Sequence, residues 1–262
     1  MRRVVLMAML LTASVASGQV REIFDAGETL DFNLSWTRVS GGAARMTISP
    51  IPNDRYRITS VAKSGAFFSR IFKVRDEIES IVDRSDFSTL QYHKILDERG
   101  KKKDELTVID EARGVATRKG ETLPVSKPIY DPLSLIYYIR TLDLSPGQTH
   151  EFSVIADGKL YSVRATVLRR ETLVTPAGTF QTVVIEPKME SSAGIYRDDQ
   201  NQLLVWYSDD ERKLPVRIRS DLKIGSITAT LRAISSGVTA TEPGGGLGGA
   251  VVGCGLWVVG CG

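Results

Sequence analysis

The sequence predicts an all-β fold, mainly antiparallel: a curved sheet, barrel or half-barrel, with one short buried helix near residues 131–140. Three observations lead there. Apolar and polar residues alternate over many short stretches, which is the period of a half-buried strand. Clusters of Gly, Pro, Asn and Asp punctuate those stretches as turns do. One segment breaks the period and opens with a helix-start signal. A sheet with one apolar and one charged face must curl on itself or be covered.

The chain begins with a different kind of segment. Arg2 and Arg3 precede an apolar run, Val4 to Leu11, and then small residues ending in Ala16-Ser17-Gly18. This is the form of a secretory signal peptide over residues 1–18, cut before Gln19. Its apolar run is too short to span a bilayer, and no cysteine lies near the exit to take a lipid. The mature chain is therefore expected in the periplasm or outside the cell. A single β-rich domain is predicted over 19–236, in two halves, 22–124 and 148–235, joined by the helix.

Within the first half, Leu30, Phe32, Leu34 and Trp36 share one face, and Phe72, Val74, Ile78 and Val82 share another. The second half repeats the pattern in Tyr161-Val163-Ala165-Val167, Val183-Ile185, Leu203-Val205-Tyr207, Val216-Ile218 and Ile227-Ala229-Leu231. Turns are predicted at Ser40-Gly41-Gly42, Pro52-Asn53-Asp54, Glu98-Arg99-Gly100, Ala156-Asp157-Gly158 and Thr175-Pro176-Ala177-Gly178. Between the halves, Asp131 is a capping residue and Pro132 occupies the first helical position. Apolar residues then cover nearly the whole circumference to Arg140, which marks a buried helix. Leu144-Ser145-Pro146-Gly147 ends it.

The tail, 237–262, is glycine-rich and contains a direct repeat, Val251-Val252-Gly253-Cys254-Gly255 returning as Val258-Val259-Gly260-Cys261-Gly262. Glycine this dense disfavours helix and strand alike, so disorder is expected. The alternative is a membrane- or partner-touching segment at Leu256 to Val259. Both cysteines lie here, so the body has no disulfide framework, although an oxidising compartment would permit a small loop closed by Cys254 and Cys261.

Composition excludes some functions. Of 262 residues, 42% are hydrophobic, enough for a real core. The formal charge of +3 falls to +1 once Arg2 and Arg3 are removed, which argues against nucleic acid. His93 and His150 are far from each other and from the cysteines, so no metal site is predicted. Neither Asp198-Asp199 nor Asp209-Asp210-Glu211 has the spacing of a calcium loop. No phosphate-cradling loop and no nucleophile elbow occur. The expectation is a protein without cofactor and without enzymatic activity.

Candidate ligand-contacting residues are Trp36, Phe67, Phe68, Phe72, Tyr137 and Trp206, which could line a space between sheet and helix; any domain of this size also needs such residues as core. Phe67-Phe68 sits in a small-residue loop, Ser64 to Ser69, suited to a membrane or partner contact. Asp76 stands in the apolar register of its strand. A carboxylate there must be paired, neutralised or solvated, either as a structural acid or as one that orients a ligand.

Several stretches resemble a known family. They are Phe24-Asp25-Ala26-Gly27-Glu28-Thr29-Leu30 with Leu34-Ser35-Trp36, then Tyr56-Arg57-Ile58-Thr59, Phe72-Lys73-Val74-Arg75-Asp76, Asp131-Pro132-Leu133-Ser134, Thr175 to Phe180, Trp206 to Asp210, and Leu214-Pro215-Val216-Arg217. Together they resemble a bacterial family of exported proteins catalogued as domain of unknown function 3108, over most of residues 22–235. The resemblance implies a compartment and a β-rich fold, and no activity. A looser likeness, in the tryptophan strand running into Leu214-Pro215-Val216-Arg217-Ile218, is to periplasmic lipoprotein carriers, which are open half-barrels with helices over the concave face.

These readings lead to a non-enzymatic binder or carrier of a lipid-like or acylated envelope ligand, with possible peripheral membrane contact. The alternative is a structural or assembly protein that holds an envelope protein partner. The third reading is a hydrolase of envelope polymers using Asp76 or Asp209.

Overall fold

The computed structural model describes residues 20–37, 39–65, 74–98, 101–191, 194–195, 202–222 and 225–237. The signal-like stretch 1–18, Phe67, Phe68, Phe72 and the tail with both cysteines lie outside the described residues.

The alternating stretches form strands. The first half supplies β1 (Glu28–Trp36), β2 (Val39–Ile51), β3 (Arg55–Ser64), β4 (Val74–Asp83), β5 (Thr89–Glu98), β6 (Lys101–Asp110), β7 (Val115–Arg118) and β8 (Glu121–Pro124). The second supplies β9 (Thr149–Ala156), β10 (Lys159–Thr175), β11 (Gly178–Ser191), β12 (Gly194–Ile195), β13 (Leu203–Ser208), β14 (Pro215–Leu222) and β15 (Gly225–Ser236). They make one antiparallel sheet in the order β8 to β1, then β15, β14, β13, β11, β10, β9, with β12 paired to β11. The predicted halves thus meet through β1 and β15, which pair from Glu28↔Ser236 to Trp36↔Ile227. The sheet is not closed: its edges are β8 and β9.

One predicted turn is not a turn. Ser40, Gly41 and Gly42 belong to β2, beside a register shift between Leu34 and Ser35. Gly42 is required there by a close approach, since a Cβ would stand 2.2 Å from the Lys63 carbonyl oxygen. The extra residue tightens the coil of the sheet.

Two short helices cover one end. The predicted helix is present as α2 (Pro132–Ile139), capped by Asp131, with Pro132 in the first turn. A second helix, α1 (20–26), precedes β1 and was not expected from the sequence. Gly27, at φ 79°, turns the chain from α1 into β1. Phe24 of α1 packs edge-on to Phe87, Tyr137 and Tyr56, with ring centroids 5.5, 5.7 and 6.1 Å away. Asp25 accepts from Tyr56 Oη and Arg84. Desolvation, together with that carboxylate, pushes the Tyr56 hydroxyl up to about 12.

Helix α2 crosses this floor from wall to wall. At its start Asp131 is tied to β4 and β5. At its end Tyr207 Oη of β13 donates to the Ile136 carbonyl, 3.1 Å away. Arg140 reaches Glu28 of β1 through two hydrogen bonds, of 2.5 and 3.0 Å, and the Arg212 carbonyl at 3.1 Å. Both charged side chains are buried, at 0% and 2% exposure.

On four strands the inward side chains become smaller above the floor, whereas on β4, β5, β10 and β14 they do not. Along β3 they run Tyr56, Ile58, Ser60, Ala62; along β2, Ile48, Met46, Ala44. β9 goes from Phe152 through Val154 to Ala156, and β15 from Leu231 to Ala229. The shape is a cup, with the helices as its floor and the end bearing Trp36, Ser64, Asp157 and Gly225 as its mouth.

The Arg140–Glu28 pair fixes the floor to the central strand. Replacing Arg140 by Met leaves a buried carboxylate uncompensated and is expected to cost about 3–5 kcal/mol in urea unfolding. Combining it with Glu28→Leu should recover most of that loss. An Arg140→Met protein as stable as the parent would show that the pair does not hold the floor.

Candidate functional site

An open sheet leaves backbone donors and acceptors unpaired along its edges. At the floor end, residues 129–131 fill the space between β5 and β9. Thr89 N donates to the Ile129 carbonyl at 2.8 Å, Tyr130 N to Ser153 at 2.9 Å, and Ile155 N to Tyr130 at 2.8 Å. Tyr130 and Val154 form an isolated parallel bridge. Tyr130 stacks on Tyr138 at 4.7 Å and meets Phe152 edge-on at 5.8 Å. Lys127 anchors the approach to this segment, with Asp83, Asp86 and Glu111 within 3.0–3.4 Å of its ammonium.

Asp131 completes the lower seam. Its carboxylate accepts from Ser80 Oγ of β4, Thr89 Oγ1 of β5 and the backbone N–H groups of Leu133 and Ser134, all at 2.8–2.9 Å. Burial pushes its pKa up, and those four hydrogen bonds oppose the shift.

Towards the mouth the seam is closed by side chains. Among the described residues no ladder joins β9 to β5. In β5, Tyr92, Lys94 and Leu96 face inward while His93 and Ile95 are partly exposed. The Lys94 ammonium, on a side chain 4% exposed, bonds the carboxylate of Asp157 in the β9–β10 turn. Beside it, Glu105 of β6 bonds Arg118 and Lys119 at 2.6 and 2.9 Å. The Arg118 guanidinium lies against Gly158. Tyr92, 2% exposed, has no hydrogen-bond partner for its hydroxyl among the described residues. The wall is therefore mixed: Ser60, Asp76, Ser80, Tyr92, Lys94, Glu105 and Thr107 lie on β3 to β6, and apolar residues of β1, β10, β14 and β15 are also buried in the interior.

The residues singled out from the sequence are split by this geometry. Asp76 is buried near the mouth end of β4, opposite Ala62 and Leu96. Tyr137 is part of the floor, with the Arg140 guanidinium 5.4 Å from its ring centroid. Trp36 is half-buried at the mouth, its indole near Gly225. Phe67, Phe68 and Phe72 lie outside the described residues, in sequence between β3 and β4. Trp206 is buried in the hydrophobic core, on the face of β13 opposite Tyr207; its Nε1 donates to Glu171 at 2.5 Å and the Arg217 guanidinium lies 5.9 Å from its ring. Asp76 and Asp209 are not brought together: Asp209 is in the β13–β14 turn at the floor end, paired with Arg170 at 2.7 Å.

Tyr92, Lys94 and Asp157 were missed as a group. A lysine in the inward register between Tyr92 and Leu96 was the available signal. Its partner is 63 residues away in sequence.

Glu105 makes the seam pH-sensitive. Burial alone raises its pKa, but hydrogen bonds and charge from Arg118 and Lys119 prevail and hold it at about 2, below the ordinary 4.5. A carboxyl depressed on folding contributes stability above its unfolded pKa, and the contribution is lost as pH falls towards the folded value. The urea midpoint is therefore expected to drop between about pH 4.5 and 2, and to drop less in Glu105→Gln. Equal slopes in the two proteins would exclude Glu105 as the source.

Comparison with known proteins supports the fold. A β-barrel-like protein of domain of unknown function DUF1849 from Brucella abortus is similar, with a TM-score of 0.55 and 9% identity over 81% of this chain and 98% of that one. Weaker likenesses are a DUF1089 family protein from Pseudomonas aeruginosa (0.38; 14% identity; 69% and 90% covered) and lipoprotein LppX from Mycobacterium tuberculosis (0.25; 11%; 89% and 98%). No curated protein matches the sequence. A family model does, across residues 30–232, which takes in α2, the seam and most of the β1–β15 junction; the chain belongs to the DUF3108 family of proteins of unknown function.

Proposed function

We propose that this is an exported, non-enzymatic protein of the bacterial envelope that binds or escorts a lipid-like or acylated ligand within its cup. The observation that carries the reading is the taper of the inward side chains on β2, β3, β9 and β15. Large apolar side chains fill the floor around Phe24, Tyr56 and Tyr137, while Ala44, Ser60, Ala62, Ala156 and Ala229 face inward higher up. Small residues leave width at the mouth, where barrels place their ligands. In this reading residues 1–18 direct export and are removed. Trp36 and Asp76 face the ligand and Tyr137 lies beneath it. Phe67, Phe68 and Phe72 contact the ligand or a membrane surface.

Two measurements test the reading. Native mass spectrometry of the mature protein from its own envelope, before and after solvent extraction, should reveal a lipid-sized mass that extraction removes. A bare mass would overturn it, and extra mass only as whole protein subunits would favour the assembly role. The Ala62→Leu variant should lose the bound mass while unfolding at the parent's urea midpoint. If the wall around Ala62 has no room, the added side chain will instead destabilise the fold by about 1–3 kcal/mol.

A further inference from the structure

Lys94 is an unusual residue for its position. Its neighbours on the inward face of β5 are Tyr92 and Leu96, and an aliphatic side chain would serve the packing there. A buried ammonium is costly unless paired, and this one takes its pair from outside the wall. Asp157 stands in a two-residue turn, with its side chain 35% exposed. The cation is thus fixed and buried, whereas its counter-charge is carried on a turn at the surface.

A second group points to the same place. The Tyr92 hydroxyl is buried, has no hydrogen-bond partner among the described residues, and belongs to the ring 6.0 Å from the Lys94 ammonium. It feels the charges of both Asp131 and Asp157. Asp131 is already engaged by four donors, and the Tyr92 ring lies towards Lys94. An ammonium only donates, and the phenol has a proton to give. Two donor side chains on one wall suit an oxyanion. Nearby, Arg118 and Lys119 share the single carboxylate of Glu105, which faces Lys94 across the β5–β6 ladder. Asp76, opposite Leu96, is a further acid on this wall. Leu30, Phe32, Val163, Ala165, Ala229 and Leu231 supply the apolar interior that a hydrocarbon chain needs.

Resting on the ligand-binding reading above, we propose that the mouth end of the seam is an anion site: Lys94 and Tyr92 take the phosphate or carboxylate head of an amphipathic ligand, in competition with Asp157. Binding exchanges one ion pair for another and frees the β9–β10 turn from β5.

The test is calorimetric binding to the full mature chain of three probes: oleoyl lysophosphatidic acid, the uncharged monoacylglycerol with the same chain, and inorganic phosphate. The parent protein should prefer the phosphate-bearing lipid to the glyceride by at least about tenfold, with phosphate alone much weaker. Lys94→Met should abolish the preference, bringing the two lipids to the same affinity. Asp157→Asn, at an exposed site, should strengthen binding of the anionic lipid severalfold by weakening the competitor, an effect that a purely structural latch would not give. If Lys94→Met does not fold, the Asp157→Asn result decides alone. Equal affinity for both lipids in the parent and in Asp157→Asn would overturn the anion site and leave the carrier reading standing. Failure of both lipids to bind would overturn both readings. Inorganic phosphate binding as tightly as the lipid would overturn the lipid head group as the ligand.

Discussion

Asp131 stands where three parts of the chain must meet. It begins the helix that floors the cup, it follows the segment that fills the seam, and it lies against the two strands, β4 and β5, that form the seam's far side. One carboxylate serves all three, through two backbone N–H groups and the hydroxyls of Ser80 and Thr89. Its own N–H donates to Thr89 Oγ1 at 2.8 Å. The geometry is demanding because the group is fully buried, and a buried carboxylate with any lone pair unmet would be expensive. The position of α2, and therefore the depth of the cup, follows from meeting it.

Much of this was legible locally. Alternation over Leu30 to Trp36, or Val163 to Val167, needs only neighbours in sequence, as does the Asp131-Pro132 start. The side taken by Trp206 could also be read: if Val205 and Tyr207 share a face, Trp206 has the other. Other features were out of reach. Val20 and Phe24 are spaced as on a helix, but one turn of spacing is too little to separate from chance. The glycines of Ser40-Gly41-Gly42 look like a turn because a bulge needs the same residue types. Lys94 could be placed inward by register, but its neutralisation by Asp157 depends on which strands end up facing across the seam. No local pattern encodes that.

The holding forces around the cup are uneven. Most neighbouring strands are joined by long ladders, β10 and β11 over thirteen pairs and β2 and β3 over ten. The seam has a handful of backbone bonds at its floor end and salt bridges above them. Local opening follows the weakest set of contacts, so motion of the two sheet edges relative to each other is the inexpensive deformation of this fold. The buried charges at the seam add to this. Water admitted there recovers part of their solvation, which makes separation cheaper than at an apolar junction of equal area.

The junction of β1 with β15 has a consequence for how the molecule is made. Strand β1 occupies the middle of the sheet, and its second partner is β15, the last of the described strands. Hairpins such as β2–β3 and β10–β11 can form as they appear, but the central ladder closes a loop of about two hundred residues and is among the slowest contacts to form. Until then Leu30 and Phe32 have a wall on one side only. A chain arranged in this way leaves its central ladder until late, and the sheet is whole only once β15 has reached β1.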